Sequence, residues 1–292
     1  MTPHLLSFGQ GYCAQALARL LLPQGWRITG TTRSADKVAI LRDTGIAPLV
    51  WPGEDPRPAL STATHLLLSV APGQDGDPVL AALADDIAEA KNLRWIGYLS
   101  TTGVYGDQGG GWVDETSPLT PSTQRGQLRV QAETAWRALA DANDLPLMIF
   151  RLAGIYGPGR GPFAKVRNGT ARRIIKPGQV FSRIHVDDIA RVLAASIDRP
   201  DPSAVYNLCD DDPAPPEDVI AHAARLLGLP VPPAEPFETA EMSKMARSFY
   251  AESKRVDNTR IKTALGVQLL YPDYRAGLAA LLADNSKDQS PA

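Results

Sequence analysis

The chain has 292 residues, with 30 Lys and Arg against 32 Asp and Glu and 44% hydrophobic residues; that length suits one large α/β domain with a smaller second lobe. A net charge of −2 excludes a general nucleic-acid binder, because phosphate affinity needs clustered positive charge, and no window approaches the roughly 18 consecutive apolar residues of a membrane span. Two cysteines, Cys13 and Cys209, cannot build a disulfide framework and have no metal-type spacing around them, so no metal is expected; Thr2-Pro3-His4 lacks the features of a signal peptide, and a cytoplasmic protein is expected.

Leu5 to Phe8 reads as a short strand ending at Gly9. Ala14 to Leu22 has helical periodicity and stops at Pro23 and Gly25, which terminate helices. Arg27–Thr32 reads as a strand, Ala35–Asp43 as a helix closed by Gly45, and Pro48–Trp51 as a short third strand. His65–Val70 is a buried fourth strand, Val79–Ala90 a helix and Trp95–Ser100 a fifth strand. Thr123–Ala142 is a long helix and Leu147–Leu152 a sixth strand. Alternation of this kind implies parallel strands joined by right-handed crossovers, hence an α/β Rossmann-type doubly wound sheet with ligands at the carboxyl ends of its strands. After Gly157 the chain turns rich in Gly, Pro and Arg, and further helices are expected at Val186–Asp198, Glu217–Leu227, Glu241–Tyr250 and Ala276–Leu282. The division is a dinucleotide-binding domain over 1–157 with returns at about 184–208, a smaller, interleaved substrate lobe over 158–284, and a polar tail, 285–292, expected to be disordered.

Gly9-Gln10-Gly11-Tyr12-Cys13-Ala14 follows the first strand and opens the first helix, in the pattern G-x-G-x-x-A. Gly9 permits the tight turn, Gly11 lets the backbone approach a pyrophosphate, and Ala14 permits close helix–sheet packing. The helix amino terminus then faces the phosphates with unpaired N–H groups. NAD sites place an acid at the end of the second strand for the ribose 2′-hydroxyl. Here the stretch is Thr31-Thr32-Arg33-Ser34, with no acid before Asp36. Arg33 offers a planar cation to a 2′-phosphate, and Thr32 and Ser34 add hydroxyl donors. NADP is therefore expected as cofactor, with NAD the alternative.

Three further stretches resemble the extended short-chain dehydrogenase/reductases, the superfamily of nucleotide-sugar epimerases and dehydratases, and within it the YeeZ-like bacterial subgroup. They are Tyr98-Leu99-Ser100-Thr101-Thr102-Gly103-Val104-Tyr105-Gly106-Asp107, Arg151-Leu152-Ala153-Gly154-Ile155-Tyr156-Gly157-Pro158-Gly159 and His185-Val186-Asp187-Asp188-Ile189-Ala190. The resemblance implies that Thr101 is the active-site hydroxyl that hydrogen-bonds the reacting oxygen; the alternative is a hydroxyl that only satisfies backbone groups at a strand end. It also implies that Ser69, Val70, Ala71 and Ser100 border the cofactor, and that Leu152, Ala153 and Ile155 line the nicotinamide pocket. The His185 motif is expected to be structural, its carboxylates suiting the first turn of a helix.

The family's catalytic dyad, Tyr and Lys in a Y-x-x-x-K pattern on the long helix, is missing. Aligned on Pro118, Pro121 and Gly126, the stretch reads Arg125-Gly126-Gln127-Leu128-Arg129, so Arg125 takes the Tyr position and Arg129 the Lys position. A guanidinium stays protonated and cannot serve as a base; Arg125 can bind an anion or act electrostatically, and Arg129 can donate to ribose hydroxyls. Tyr105 and Tyr156 are the nearest alternatives and are expected only to pack by the cleft. Two functions compete: an NADP-dependent oxidoreductase or epimerase/dehydratase-like enzyme on a small or sugar-derived substrate, and a non-catalytic NADP-binding redox sensor or regulator. Arg160, Arg167, Arg172, Arg173 and Arg183 would suit an anionic small molecule or a solvated surface equally. A homodimer through the long helix is the expected assembly, and Trp136 on that helix fits an interface or the core.

Overall fold

A computed structural model describes residues 2–287. Its strands are β1 His4–Phe8, β2 Arg27–Thr32, β3 Ala47–Val50, β4 His65–Leu68, β5 Trp95–Thr101, β6 Trp112–Val113, β7 Leu147–Leu152, β8 Gly154–Tyr156, β9 Arg173–Ile175, β10 Arg183–His185, β11 Val205–Leu208, β12 Ala234–Pro236 and β13 Arg255–Val256. Its helices are α1 Tyr12–Leu21, α2 Lys37–Asp43, α3 Arg57–Leu60, α4 Pro78–Ala88, α5 Gln124–Asn143, α6 Phe163–Arg167, α7 Val186–Asp198, α8 Pro216–Leu226, α9 Lys244–Phe249, α10 Thr259–Thr263 and α11 Tyr274–Lys287.

Seven strands form one sheet in the order β11-β7-β5-β4-β1-β2-β3, and every neighbouring pair is parallel. The order reverses direction at β1, between β2 and β4, so the crevice for a ligand opens at the carboxyl ends of β1 and β4. Alternate residues of a strand serve opposite layers. Leu5 of β1 packs with Leu17 of α1 and Ile189 of α7, whereas Leu6 and Phe8 pack with Leu83 of α4 and Trp136 of α5. Trp136 is thus core. The smaller lobe has its own apolar centre, in which Phe163 of α6, Val219 and Ala223 of α8 and Leu278 of α11 meet. Short parallel pairs, β8 with β10, β9 with β12 and β6 with β13, stitch the lobe to itself and to the loops after β5.

The doubly wound fold is as expected, and β2, β7 and α7 have the expected limits. Differences fall where local pattern carries little information. The seventh strand, β11, lies in the predicted return but was not foreseen as a strand. β6, β8, β9, β10, β12 and β13 have two or three residues each, too few for an alternation to be read. α2 starts at Lys37 because Ala35 and Asp36 are used in a turn, with Lys37 N donating to Ser34 O at 3.2 Å. The expected disordered tail is corrected for 285–287, which continue α11; 288–292 lie outside the described residues.

Candidate functional site

The turn after β1 is tied to β2: Gly9 N donates to Thr31 Oγ1 and Gln10 N to Thr31 O, each at 2.8 Å. Gly9 has φ +85°, and a Cβ on it would lie 3.1 Å from Val70 Cγ2 and 3.2 Å from the Ser69 carbonyl carbon. Its glycine is required by the fold itself. Gly11 differs: its φ is −94°, and a Cβ there would meet nothing nearer than Gly9 O at 3.8 Å. Ala14 is fully buried against the sheet. α1 opens without a side-chain cap and without an acid in its first turn, so its N–H groups face the crevice unpaired. Gln10 does not extend into that crevice. Its buried side chain fills the space over Gly30, where a Cβ would stand 2.7 Å from Gln10 Cγ.

At the end of β2, Arg33 is exposed and no hydrogen bond or ion pair engages it among the described residues. Ser34 N donates to Thr32 Oγ1 at 3.2 Å, which closes the turn beneath it. At the end of β4, Ser69 N donates to Phe8 O at 2.9 Å, Val70 lies against Gly9, and Ala71 is exposed. Leu152 and Ala153 are buried at the end of β7, and Ile155 is half-buried on β8.

The β5 end divides two neighbouring hydroxyls. Ser100 Oγ donates to Glu133 Oε1 at 2.5 Å and is buried, so the hydroxyl expected to border the cofactor is turned into the protein. Thr101 Oγ1 accepts from Gly103 N at 3.1 Å, capping the turn over 102–105. Its own proton stays available to a ligand, since a hydroxyl both accepts and donates.

The two arginines of α5 meet different partners. Arg129 Nη1 donates to Tyr98 Oη and to Leu99 O, each at 2.9 Å, which pins α5 to the ends of the central strands. Arg125 is exposed, with its guanidinium 5.3 Å from the centroid of the Phe249 ring on α9. Tyr105 Oη donates to Asn207 Oδ1 at 2.7 Å and accepts from Arg151 Nη1 at 2.9 Å. Tyr156 is buried against Gly277 and donates to Asp273 O at 3.4 Å. Burial pushes both phenols up from their ordinary value. Both hydroxyls are thus engaged by the protein.

A buried network links these elements. Arg151 meets Glu133 through Nε–Oε1 at 3.2 Å and Nη2–Oε2 at 2.8 Å, and Ser100, Tyr105 and Asn207 complete it. Sequence reasoning missed it, although a readable signal existed: Arg151 is the only charge in the run Leu147–Leu152, and a charge in a strand covered on both faces must find a partner.

The His185 motif is structural. His185 Nδ1 caps α7 by accepting from Asp187 N at 3.2 Å, and the Asp188 carboxylate accepts from Leu270 N at 2.7 Å and Tyr271 N at 3.1 Å. Among the described residues no group of three or more His, Cys, Asp or Glu is arranged to hold a metal, and no helix is long and apolar enough to cross a membrane. The lobe's arginines do not converge. Arg172 pairs with Glu235, Arg173 Nη1 donates to Pro232 O, Arg183 Nη1 to Phe181 O and Ala214 O, and Arg160 and Arg167 lie over the rings of Tyr12 and Phe163.

The sequence profile of the NAD dependent epimerase/dehydratase family matches residues 79–209. Protein YeeZ of Escherichia coli K12 is 30% identical over 280 residues, which cover 91% of this chain and 95% of YeeZ. The chain belongs to the NAD dependent epimerase/dehydratase family. A 3-diazoavenalumate denitrifying reductase from Streptomyces is 28% identical over 205 residues, 66% of each chain. A solved structure of a conserved protein of unknown function from Silicibacter pomeroyi is 63% identical, covers 97% of this chain and 99% of its own, and superposes with a TM-score of 0.92. UDP-glucuronic acid 4-epimerase from Bacillus cereus, solved with NAD, shares the fold at TM-score 0.76 and 16% identity, over 98% of this chain and all of its own.

Proposed function

We propose that the chain binds a nicotinamide dinucleotide, NADP in preference to NAD, and acts as an oxidoreductase or epimerase/dehydratase-like enzyme on a small or sugar-derived substrate. The observation that carries the reading is Gly11. Neither its backbone conformation nor any protein neighbour calls for a glycine, whereas a pyrophosphate seated on the amino terminus of α1 does. The residues fit the cofactor. Gly9, Gly11 and the first N–H groups of α1 would hold the phosphates, and exposed Arg33 would fork onto a 2′-phosphate. Val70, Ala71, Leu152, Ala153 and Ile155 would border the ribose and nicotinamide. When bound, the cofactor supplies the hydride chemistry. Thr101 Oγ1 would donate a hydrogen bond to the substrate oxygen, and Arg129, with one nitrogen already committed to the strands, would offer the rest of its fork to ribose hydroxyls. The reductase name of the Streptomyces relative and the NAD bound in the Bacillus epimerase support this class.

The test is a titration of the purified chain with NADPH and with NADH. Arg33→Ala is expected to weaken NADPH about ten- to hundredfold, the worth of hydrogen bonds to a charged group, and to leave NADH unchanged. Equal weakening of both, or no binding of either by the wild type, overturns the reading. A second reading, a non-catalytic NADP-binding sensor or regulator, is favoured by one observation: the hydroxyls of Tyr105 and Tyr156 are engaged by the protein and Arg125 turns to Phe249. A turnover screen with NADPH and carbonyl substrates, nucleotide sugars included, separates the two.

A further inference from the structure

Arg125, in the first turn of α5, reaches the face of Phe249 and makes no hydrogen bond or ion pair among the described residues. Phe249 ends α9 and stays 47% exposed. Among the described residues it is part of no apolar core cluster. The chain on either side of α9 is fixed. Upstream, β12 lies beside β9 in the smaller lobe. Downstream, Ser122 Oγ donates to Glu252 Oε1 at 2.5 Å, Ser253 N to Asp107 Oδ1 at 2.8 Å and Lys254 Nζ to Gly106 O at 2.7 Å. α9 therefore bridges from the smaller lobe to the loops after β5. Its landing point is the first turn of α5, which sits hard against the turn after Thr101: a Cβ on Gly126 would fall 2.8 Å from Gly103 O.

We infer that Arg125 and Phe249 form a latch that docks α9 on the first turn of α5, so that position 125 helps to position the substrate by holding the outer wall of the cleft instead of moving a proton. The substrate part of this inference rests on the proposed oxidoreductase reading; the latch itself does not. A guanidinium is suited to the task because it stays charged and its plane stacks on a ring.

Hydrogen exchange of the α9 amides in the full chain, without substrate, reads the latch directly. Arg125→Ala and Phe249→Ala are each expected to speed exchange about two- to fivefold, the worth of an exposed cation–π contact. The double variant is expected to go no further than either single, Phe249→Tyr to stay near wild type, and Arg125→Lys, which keeps the charge but loses the stacking plane, to fall between wild type and Arg125→Ala. Unchanged exchange, or single effects that multiply in the double variant, overturns the latch. On any carbonyl substrate that turns over, Arg125→Ala is expected to raise KM with kcat little changed; a fall in kcat at constant KM would place Arg125 in the chemistry and overturn the positioning role. Absence of turnover by the wild type speaks against the oxidoreductase reading, and the exchange experiment still decides the latch.

Discussion

Glu133 and Arg151 are each 2% exposed in their side chains, and their geometry decides what the pair contributes. A carboxylate taken out of water is expensive, and attraction to a cation offsets that cost only when the remaining lone pairs are satisfied. Here they are. Glu133 accepts from Ser100, from both edges of the Arg151 fork and, at 3.6 Å, faces Arg137, while the third nitrogen of Arg151 meets Tyr105. The pair is weak evidence for net stability, but breaking it on one side leaves a buried charge without its partner. Glu133→Gln is expected to lower the unfolding free energy by about 3–5 kcal/mol, measured by urea denaturation. A loss under about 1 kcal/mol would mean that water reaches Arg151 and takes over the carboxylate's role. Arg129 is a contrasting residue. Its hydrogen bonds are with a phenol and backbone carbonyls, all neutral, and among the described residues it has no ion-pair partner.

At the scale of elements, α5 works as a ruler. Arg125, Arg129 and Glu133 recur every four residues and so share one face. The first meets α9, the second the ends of the strands and the third the sheet interior. The register of that face depends on Gly126. Alanine is the better helix former by up to about 1 kcal/mol, but a Cβ at 126 would lie 2.8 Å from Gly103 O and 2.9 Å from Pro121 Cβ. Backbone and ring cannot yield, so Gly126→Ala is expected to lower Tm, at an overpacking cost of about 1–3 kcal/mol; a rise in Tm would show that α5 is free to shift. The same helix shows what the sequence could tell. The helical periodicity put Arg125 and Arg129 on one long helix, as α5 has them, because local spacing sets a helix. The direction of Arg125 was not legible, since Phe249 comes from the far half of the chain and only the tertiary fold brings it near. Ser100 and Thr101 show the same limit: adjacent residues on a strand point to opposite faces, and which face is the cleft depends on layers that no local pattern reveals. The glycine turn was legible because a tight turn beside a strand restricts residue choice locally. β11 was not, because Val205–Leu208 is a short apolar run like many others.

The whole molecule is held together where the sheet's last strand hands over to the smaller lobe. Asp210 follows β11, and its N–H donates to Arg183 O of β10 at 2.6 Å. Asn258 Nδ2 donates to Cys209 O at 2.8 Å, and the Asp188 carboxylate holds the 270–271 backbone beside it. The Asp210 side chain is 1% exposed, and among the described residues neither of its oxygens reaches a hydrogen-bond partner of good geometry. Burial pushes its carboxyl up to about 8, an effect that the Arg183 cation and the Asp212 amide offset only in part and that the charges of Asp212 and Asp211 reinforce. Because the folded value lies above the ordinary one near 3.9, the native chain keeps a proton that the unfolded chain releases across that interval. The resulting stabilisation is complete below the unfolded value and is lost as pH rises through about 8. Asp210→Asn keeps the shape and is always neutral, so it lacks this dependence. Relative to the wild type, the variant is therefore expected to gain stability steadily from about pH 5 to pH 8, with a slope of up to about 1.4 kcal/mol per pH unit. Urea unfolding of both proteins at several pH values measures the difference. His65 and His185, pushed down by burial, change stability in the opposite sense as pH falls, but they are common to both proteins and cancel in the comparison. A difference that does not vary with pH would mean that Asp210 is ionised in the folded chain, with Arg183 as its full counter-ion. The junction between the sheet and the smaller lobe would then be an ion pair, and raising the pH would leave it intact.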